Sequence, residues 1–220
     1  AQMQQHTRAH NARRGRTKLG LGISTISYGC CLHAGGQFLE GAGALVQVHR
    51  DGSVSVAAGN TEIGQGALTV LAKIAADALG AAYEDVTVKT VDTDLVPDSG
   101  PTVASRTTTM SGNAVVNACE QLLAELRPLA AELLSASEDK ITFANGFAKA
   151  GRKKLAFRDL AAAAFMVKRH LLKAGWYAPP RKEWDPATGQ GQPYSAYAYA
   201  TMVALVEVDT YTGRTRLKKV

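Results

Sequence analysis

Two runs of small and polar residues hold the groups that could do chemistry in this sequence. The first is Gly59-Asn-Thr-Glu-Ile-Gly-Gln-Gly66, and the second extends from Asp98 to Gly112. Each run lies between a segment with the pattern of a strand and one with the pattern of a helix. Such junctions expose backbone N–H groups and small side chains to a bound anion or cofactor. Two of them, about a helix and a strand apart, indicate one large ligand held from two sides.

The composition favours a globular protein with a packed core. Of the 220 residues, 46% are hydrophobic and 20% are charged, which is typical of folded domains. No apolar run is long enough to span a bilayer, and the N-terminus lacks a signal-peptide core. Much of the net charge of +6 lies at the two ends. Basic ends can bind nucleic acid, but no nucleic-acid-binding motif accompanies them, so we expect solvated ends or a patch facing a partner subunit.

The cysteines and histidines indicate free thiols rather than a metal centre. Cys30, Cys31 and Cys119 cannot form a full disulfide set, which fits a reducing, cytoplasmic compartment. The five histidines lack the spacing of metal ligands, so a zinc site held by the protein is not expected. Cys30, Cys31 and His33 raise the hypothesis of a thiol nucleophile, which would require a basic partner close in space.

Hydrophobic periodicity predicts the elements around the first run. Asp51-Gly52 separates two alternating segments and predicts a β-hairpin over 44–58. Residues 71–79 carry the apolar stripe of a core-facing helix, and Gly80 is its natural C-terminal stop. The first run therefore connects a hairpin to a helix.

The remaining elements follow from the same patterns. A strand is expected where Val86, Val88 and Thr90 alternate, and a long helix follows the second run, with a kink or break expected at one proline. Later come a hairpin, a helix and an irregular connector. The proline is Pro128, and the turn of the hairpin is Asn145-Gly146. The helix is expected over 155–172 and the connector over 175–195.

The last hairpin, over 202–220, is similar to the hairpin over 44–58, which suggests a repeated hairpin–helix unit. We predict an α+β fold in which such repeats form mixed sheets packed against helices. Residues 1–17 are interpreted as a basic arm or helix and 18–220 as one domain. Because the sequence stops at Val220 inside a strand-like run, the domain is interpreted as a fragment truncated at its C-terminal side.

Several motifs together resemble the molybdenum hydroxylases, the xanthine dehydrogenase and aldehyde oxidase family. They occur in the family's order and spacing and cover nearly all of the chain from about Lys18 onward. The matching segments are Gly59–Gly66 with Thr69, Ala75–Gly80, Asp92-Thr93 with Pro97, Thr102–Thr107, Gly112–Ala114, and Glu207–Thr210 with Thr212-Gly213.

The resemblance implies a molybdopterin cofactor whose dithiolene sulfurs ligate the molybdenum. It assigns cofactor contacts to two groups of residues. It also implies that the Ala104 backbone lies near the metal without being a side-chain ligand, and that a loop with Gly35 and Gly36 helps to shape the substrate pocket. The cofactor-contacting residues are Gly64, Gln65 and Gly66 in the first run and Ala104, Ser105, Thr107 and Thr108 in the second.

The implied activity is hydroxylation of an N-heterocycle, such as a purine, or of an aldehyde, with oxygen derived from water. The family's catalytic Glu lies in a segment beyond this sequence, so we expect no catalytic residue here and no turnover by the isolated chain. Iron–sulfur clusters, with FAD or another electron acceptor, are expected on other domains or subunits. The expected partners are those subunits and the rest of the molybdenum subunit, with no nucleic acid and no membrane span.

Other interpretations of the same residues stay open. Ser105 and Thr107–Thr109 could cap the long helix, and Glu62 is expected to orient its loop rather than act as a base. The alternative function is a non-catalytic module that binds nucleotide or nucleic acid through Gly-rich phosphate loops. That module would need stacking aromatic side chains on strands, for which only Tyr197 and Tyr199 qualify.

Overall fold

A computed structural model describes residues 2–89, 91–180, 183–194 and 196–220. Within them the chain forms five α-helices and twelve strands. The helices are α1 (Gln2–Asn11), α2 (His33–Gly36), α3 (Ala67–Leu79), α4 (Thr107–Leu134) and α5 (Phe157–Met166). The strands are β1 (Thr17–Gly29), β2 (Ala42–Val48), β3 (Val54–Ala57), β4 (Val86–Val88), β5 (Thr142–Ala144), β6 (Phe147–Ala150), β7 (Lys153–Ala156), β8 (Leu172–Tyr177), β9 (Trp184–Asp185), β10 (Gln190–Gly191), β11 (Tyr197–Asp209) and β12 (Thr215–Lys219).

The described chain divides into two compact units, and the first joins its two ends. It consists of the described residues of 1–30 and 195–220, in which α1 accompanies a sheet of order β1-β11-β12. β1 pairs antiparallel with β11 from Thr17↔Asp209 to Gly29↔Tyr197. An ion pair of 2.7 Å joins Arg16 to Asp209, and hydrogen bonding to Arg16 lowers the pKa of the Asp209 carboxyl.

The second unit, over 31–194, is built on a mixed four-stranded sheet of order β4-β3-β2-β8. The predicted hairpin is confirmed, since β2 and β3 pair antiparallel and β4 joins β3 in parallel after α3. Alternating residues of β2 and β3 are buried because one face of the sheet contacts α3 and α4. The buried core includes Val46, Val54, Val56, Leu71, Leu79, Met110, Leu122 and Leu126.

The helix ends illustrate how local sequence sets the boundaries. Gly80, with φ of +64°, ends α3 in the left-handed conformation, as predicted. Pro128 does not break α4, because the helix continues through it to Leu134. Leu126, Leu129 and Ala130 around the proline are buried, so packing outweighs the hydrogen bond that Pro128 cannot donate.

The predicted helix over 155–172 is wrong at both ends. Residues 153–156 form β7, the helix itself ends at Met166, and 172–177 form β8. Lys168 has a φ of +61°, which no continuing α-helix allows. The strands at either side exist because β6 and β2 are available as pairing partners.

The predicted connector over 175–195 is therefore partly regular. It contains the end of β8 and the two-stranded β9–β10 ribbon, while residues 181, 182 and 195 lie outside the described residues, as does Thr90 of the predicted strand. In β8, a side chain at Gly175 would overlap the Ala114 carbonyl oxygen of α4. Strand and helix backbones are thus in direct contact.

The architecture confirms the α+β class and mixed sheets packed against helices. The hairpin predicted at Asn145-Gly146 joins β5 to β6 and is extended by β7. The two hairpins that looked alike in sequence, β2–β3 and β11–β12, belong to different sheets. In the described part of the chain, no helix is both long and apolar enough to cross a membrane.

Candidate functional site

One cavity of about 370 Å³ brings the two sequence runs together. It lies in the second unit, where the loop before α3 faces the loop before α4. Five of the seven predicted cofactor residues line it, namely Gln65, Ala104, Ser105, Thr107 and Thr108. Ile63, Ala67, Val70, Thr102 and Val103 complete the lining. Gly64 and Gly66 flank Gln65 without lining the cavity.

Hydrogen bonds between the two loops hold the cavity walls together. The Gly59 N–H donates to the Ser99 hydroxyl at 2.8 Å, and the Thr61 N–H donates to the Thr102 hydroxyl at 2.9 Å. The Ser99 hydroxyl in turn donates to the Gly43 carbonyl of β2 at 2.7 Å. Because these contacts join the loops to each other and to the sheet, a ligand in the cavity would be held from two sides.

The loop before α3 carries its own anion. The Glu62 carboxylate accepts hydrogen bonds from the N–H groups of Gly64, Gly66 and Leu68 at 2.8, 2.9 and 3.1 Å. These donors, the Gly66 N–H above all, lower the pKa of the Glu62 carboxyl. Glu62 thus has the orienting role that its position predicted. The N–H groups of Gly64, Gly66 and Leu68 are therefore not available to a bound anion while Glu62 accepts them.

Gln65 and its neighbours complete the same loop. The Gln65 amide accepts from the Ile63 N–H at 2.7 Å and donates to the Thr61 carbonyl at 2.9 Å. One lone pair and one N–H of this amide remain for a ligand. Gly64 and Gly66 have φ of +99° and +80°, and a Cβ on either would point into open space. Both glycines are therefore required by backbone conformation rather than by close packing.

The loop before α4 has a different electrostatic character. Ala104 and Ser105 have φ of +50° and +56°, a conformation that costs non-glycine residues about 1 kcal/mol or more each. The helix begins after Arg106 without a side-chain cap, so the capping role considered for Ser105 and Thr107–Thr109 is not observed. First-turn N–H groups without a side-chain acceptor, beside threonine hydroxyls, form a favourable site for an anion.

A fully buried guanidinium anchors this second loop. The Arg106 side chain donates four hydrogen bonds of 2.7 to 3.0 Å to backbone carbonyls. Its Nε lies 4.0 Å from a carboxylate oxygen of the buried Glu40. Arg106 thereby connects the loop to the segment that precedes β2. The four acceptors belong to Ser99, Pro101, Leu39 and Gly41.

The thiol hypothesis finds little geometric support. Cys31 and His33 are 4% and 2% exposed, so a substrate could not reach them without rearrangement. Burial raises the pKa of the Cys119 thiol to about 12, which keeps it protonated and unreactive. The Cys31 N–H donates to the Ala104 carbonyl at 2.7 Å. The cysteine segment is therefore hydrogen-bonded to the backbone of a residue that lines the cavity.

Gly35 and Gly36, predicted to shape a substrate pocket, are placed in or next to that cysteine segment. Gly36 ends the short helix α2, and Gly35 is exposed. Neither is among the residues that line the described cavity. Their role in substrate binding stays a prediction. Sequence reasoning missed the contacts of Arg106 and Glu40. The only sign of them in the sequence is that charged residues occur next to the small-residue loops.

The chain matches one protein family over its whole length. The family is described as the molybdopterin cofactor-binding domain, and the match covers residues 1–220. Similar proteins include xanthine dehydrogenase 2 of Arabidopsis thaliana, 34% identical over 92% of this chain, and xanthine dehydrogenase of Emericella nidulans, 33% identical over 90%. The chain spans 13% of the length of each of these relatives.

Solved structures share the fold. Quinoline 2-oxidoreductase from Pseudomonas putida 86 matches 99% of this chain and 28% of its own with a TM-score of 0.76 and 24% identity. The aldehyde oxidoreductase from Desulfovibrio gigas matches 98% of this chain and 22% of its own with a TM-score of 0.72 and 25% identity. Nothing in these similarities favours the nucleotide- or nucleic-acid-binding alternative.

Proposed function

The chain belongs to the molybdopterin cofactor-binding domain family, and we propose that it is the part of a molybdenum hydroxylase that holds the cofactor between the loops before α3 and α4. The complete protein would hydroxylate an N-heterocycle, such as a purine, or an aldehyde with oxygen from water. The observation that carries this proposal is the convergence of Gln65, Ala104, Ser105, Thr107 and Thr108 on one cavity.

The donor set fits an anionic, pterin-like group. The uncapped start of α4 offers N–H donors, and the Ser105, Thr107 and Thr108 hydroxyls add further donors beside them. The small Ala104 side chain lets a ligand approach the backbone closely, as expected for the residue assigned to the metal's vicinity. Gln65 can offer its remaining N–H and lone pair from the opposite wall.

These residues bind and orient, while the cofactor supplies the redox chemistry of hydroxylation when bound. Glu62 is committed to the α3 N-terminus by its hydrogen bonds, so it is not free to take a proton from a substrate. The catalytic Glu, the iron–sulfur clusters and a possible FAD belong to other segments or subunits in this proposal. A cytoplasmic location and a substrate-pocket role for Gly35 and Gly36 are parts of the same proposal.

The cofactor assignment is tested in the full-length protein by measuring molybdenum and pterin per polypeptide. Replacing both hydroxyls, Thr107→Val with Thr108→Val, should lower both contents at least tenfold. Thr142→Val is the matched control, because Thr142 is an exposed threonine on β5, away from the cavity. Wild-type contents in the double variant would contradict the assignment.

The reaction is tested separately with the loaded protein. A purine, a second N-heterocycle and an aldehyde are offered in turn in ¹⁸O-labelled water, and the products are analysed by mass spectrometry. Label in the hydroxyl or carboxyl oxygen of one product identifies the substrate class. Full cofactor loading without turnover of any of the three would contradict the proposed reaction and leave cofactor binding intact.

A further inference from the structure

A cluster of side chains next to the cavity-lining residue Ala104 has the chemistry of a metal site. Cys31, His33 and Glu40 come from one short segment, and a possible ligand atom of each lies within 4.8 Å of the others. The three residues are only 4%, 2% and 6% exposed. It is the one such group of His, Cys, Asp or Glu side chains found within the described residues.

One carboxylate oxygen in the cluster lacks a hydrogen bond. Glu40 accepts the Leu32 N–H with one oxygen, while its other oxygen is buried without a hydrogen-bond partner among the described groups. A buried carboxylate oxygen without a hydrogen bond is unfavourable in general. It therefore calls for a ligand that the surrounding side chains do not provide.

The neighbouring guanidinium does not meet that need. Arg106 directs four N–H groups to backbone carbonyls, and its Nε is also without a hydrogen-bond partner, 4.0 Å from Glu40. A carboxylate binds a metal in its ionised form. Since carbonyl dipoles already solvate the guanidinium, the carboxylate retains lone pairs for another cation.

We propose that Cys31, His33 and Glu40 bind a zinc ion. A thiolate, an imidazole and a carboxylate are all zinc ligands, and three protein ligands leave one position for a further donor. Zinc–ligand bonds of about 2.0–2.3 Å place tetrahedral ligands about 3.5 Å apart, so side-chain movements on the order of 1 Å would close the site. Binding releases the Cys31 thiol proton, and the thiolate and carboxylate then supply two negative charges that face the metal and the neighbouring Arg106 guanidinium.

The zinc would cross-link a loop to the cofactor wall. Its ligands bracket 31–40, the segment that contains Gly35 and Gly36, and Cys31 donates its N–H to the Ala104 carbonyl. The zinc would then tie the Glu40 end of the segment to the Cys31 end, which contacts Ala104. This role is structural, because the three ligands are shielded from solvent, and it does not depend on whether molybdopterin occupies the cavity.

The test measures zinc in the full-length protein after equilibration with excess zinc and dialysis. We expect about one equivalent per chain. Zinc K-edge X-ray absorption, which iron–sulfur clusters and molybdenum do not obscure, should report one sulfur at about 2.3 Å and nitrogen or oxygen at about 2.0–2.1 Å. Less than one-tenth equivalent in the wild type would overturn the proposal.

Two variants and one control identify the ligands. Cys31→Ser should contain at least tenfold less zinc per chain than the wild type. Glu40→Gln, which keeps the side-chain volume, should have an at least tenfold lower affinity for zinc. Cys30→Ser is the matched control, because Cys30 is the adjacent thiol and lies outside the cluster. Circular dichroism confirms that each variant is folded. Unchanged zinc and an unchanged sulfur shell in folded Cys31→Ser or Glu40→Gln would overturn the assignment.

Discussion

The loops before α3 and α4 look alike in sequence but differ in how their helix starts are neutralised. The first supplies its own anion, since the Glu62 carboxylate takes three N–H groups of the loop and the first helical turn. The second has no side-chain cap and is held by the buried Arg106. A run of small residues before a helix therefore indicates an accessible helix start but not an unoccupied one. We therefore expect an anionic ligand to bind at the second loop rather than at the first.

The largest expected effect tests the anchor of the second loop. Arg106→Leu would leave four backbone carbonyls and the Glu40 carboxylate without their buried cation, which costs about 3–5 kcal/mol in comparable sites. We expect a lower thermal unfolding midpoint of this domain and a more than tenfold loss of bound molybdenum. Arg158→Leu, at an arginine whose side chain is 77% exposed, should stay within about 0.5 kcal/mol of the wild type.

The second prediction makes the two loops electrostatically alike. In Thr108→Glu a carboxylate enters the first turn of α4, where it should stabilise the helix by about 0.3–1 kcal/mol and compete with an anionic ligand. We expect molybdenum content to fall at least tenfold while the cofactor-free protein melts at the same or a higher temperature. Thr108→Gln has nearly the same volume without the charge, and equal loss in both variants would show that size rather than charge excludes the cofactor.

The third prediction concerns two residues with positive φ, a glycine in the loop before α3 and a serine in the loop before α4. Gly66→Ala places a side chain in open space but at φ of +80°, so it should destabilise the cofactor-free domain by about 1 kcal/mol. Ser105→Gly relieves the same kind of strain in the other loop and should stabilise it by up to about 1 kcal/mol. Opposite shifts in thermal unfolding midpoint check the pair, and shifts of the same sign would show that contacts rather than backbone conformation dominate.

The smallest effect concerns pH. The pKa of the Glu62 carboxyl is lowered by its backbone donors, chiefly the Gly66 N–H, so its contribution is present above the ordinary value of 4.5 and is lost as pH falls through the folded-state pKa. The backbone amides of residues 64–68 should lose protection from hydrogen exchange as the pH falls below the folded-state pKa of Glu62. The exchange rates are first corrected for their intrinsic pH dependence. Glu62→Gln should lack this pH-dependent change, and the same loss in that variant would exclude Glu62 as the titrating group.

Local signals were enough for the elements that surround the cavity. Asp51-Gly52 predicted the β2–β3 hairpin and Gly80 the end of α3, because turn and cap conformations are set by the residues that adopt them. The family motifs named five of the residues that line the cavity. Their binding roles stay predictions, because contacts among protein groups alone do not identify a ligand.

The missed features depend on contacts between distant parts of the chain. Residues 172–177 form β8 because β2 offers a pairing edge, and nothing within the segment requires it. The Glu62 contacts were foreseen only as an orienting role, since the sequence does not reveal which N–H groups a carboxylate will reach. Cys31, His33 and Glu40 have no familiar ligand spacing, and only the fold of their loop brings them together.

The position of β8 has a consequence for the time at which the protein matures. The strand is synthesised after α3, α4 and α5, yet it pairs with β2, where Val46 lies opposite Lys173, and its Gly175 backbone lies directly against α4. While residues 172–177 are still inside the ribosome, the sheet lacks an edge strand and the packing beneath the cavity is unfinished. Long-range strand pairing of this kind forms late. We therefore expect cofactor insertion to begin only after residues 172–177 have emerged from the ribosome and paired with β2.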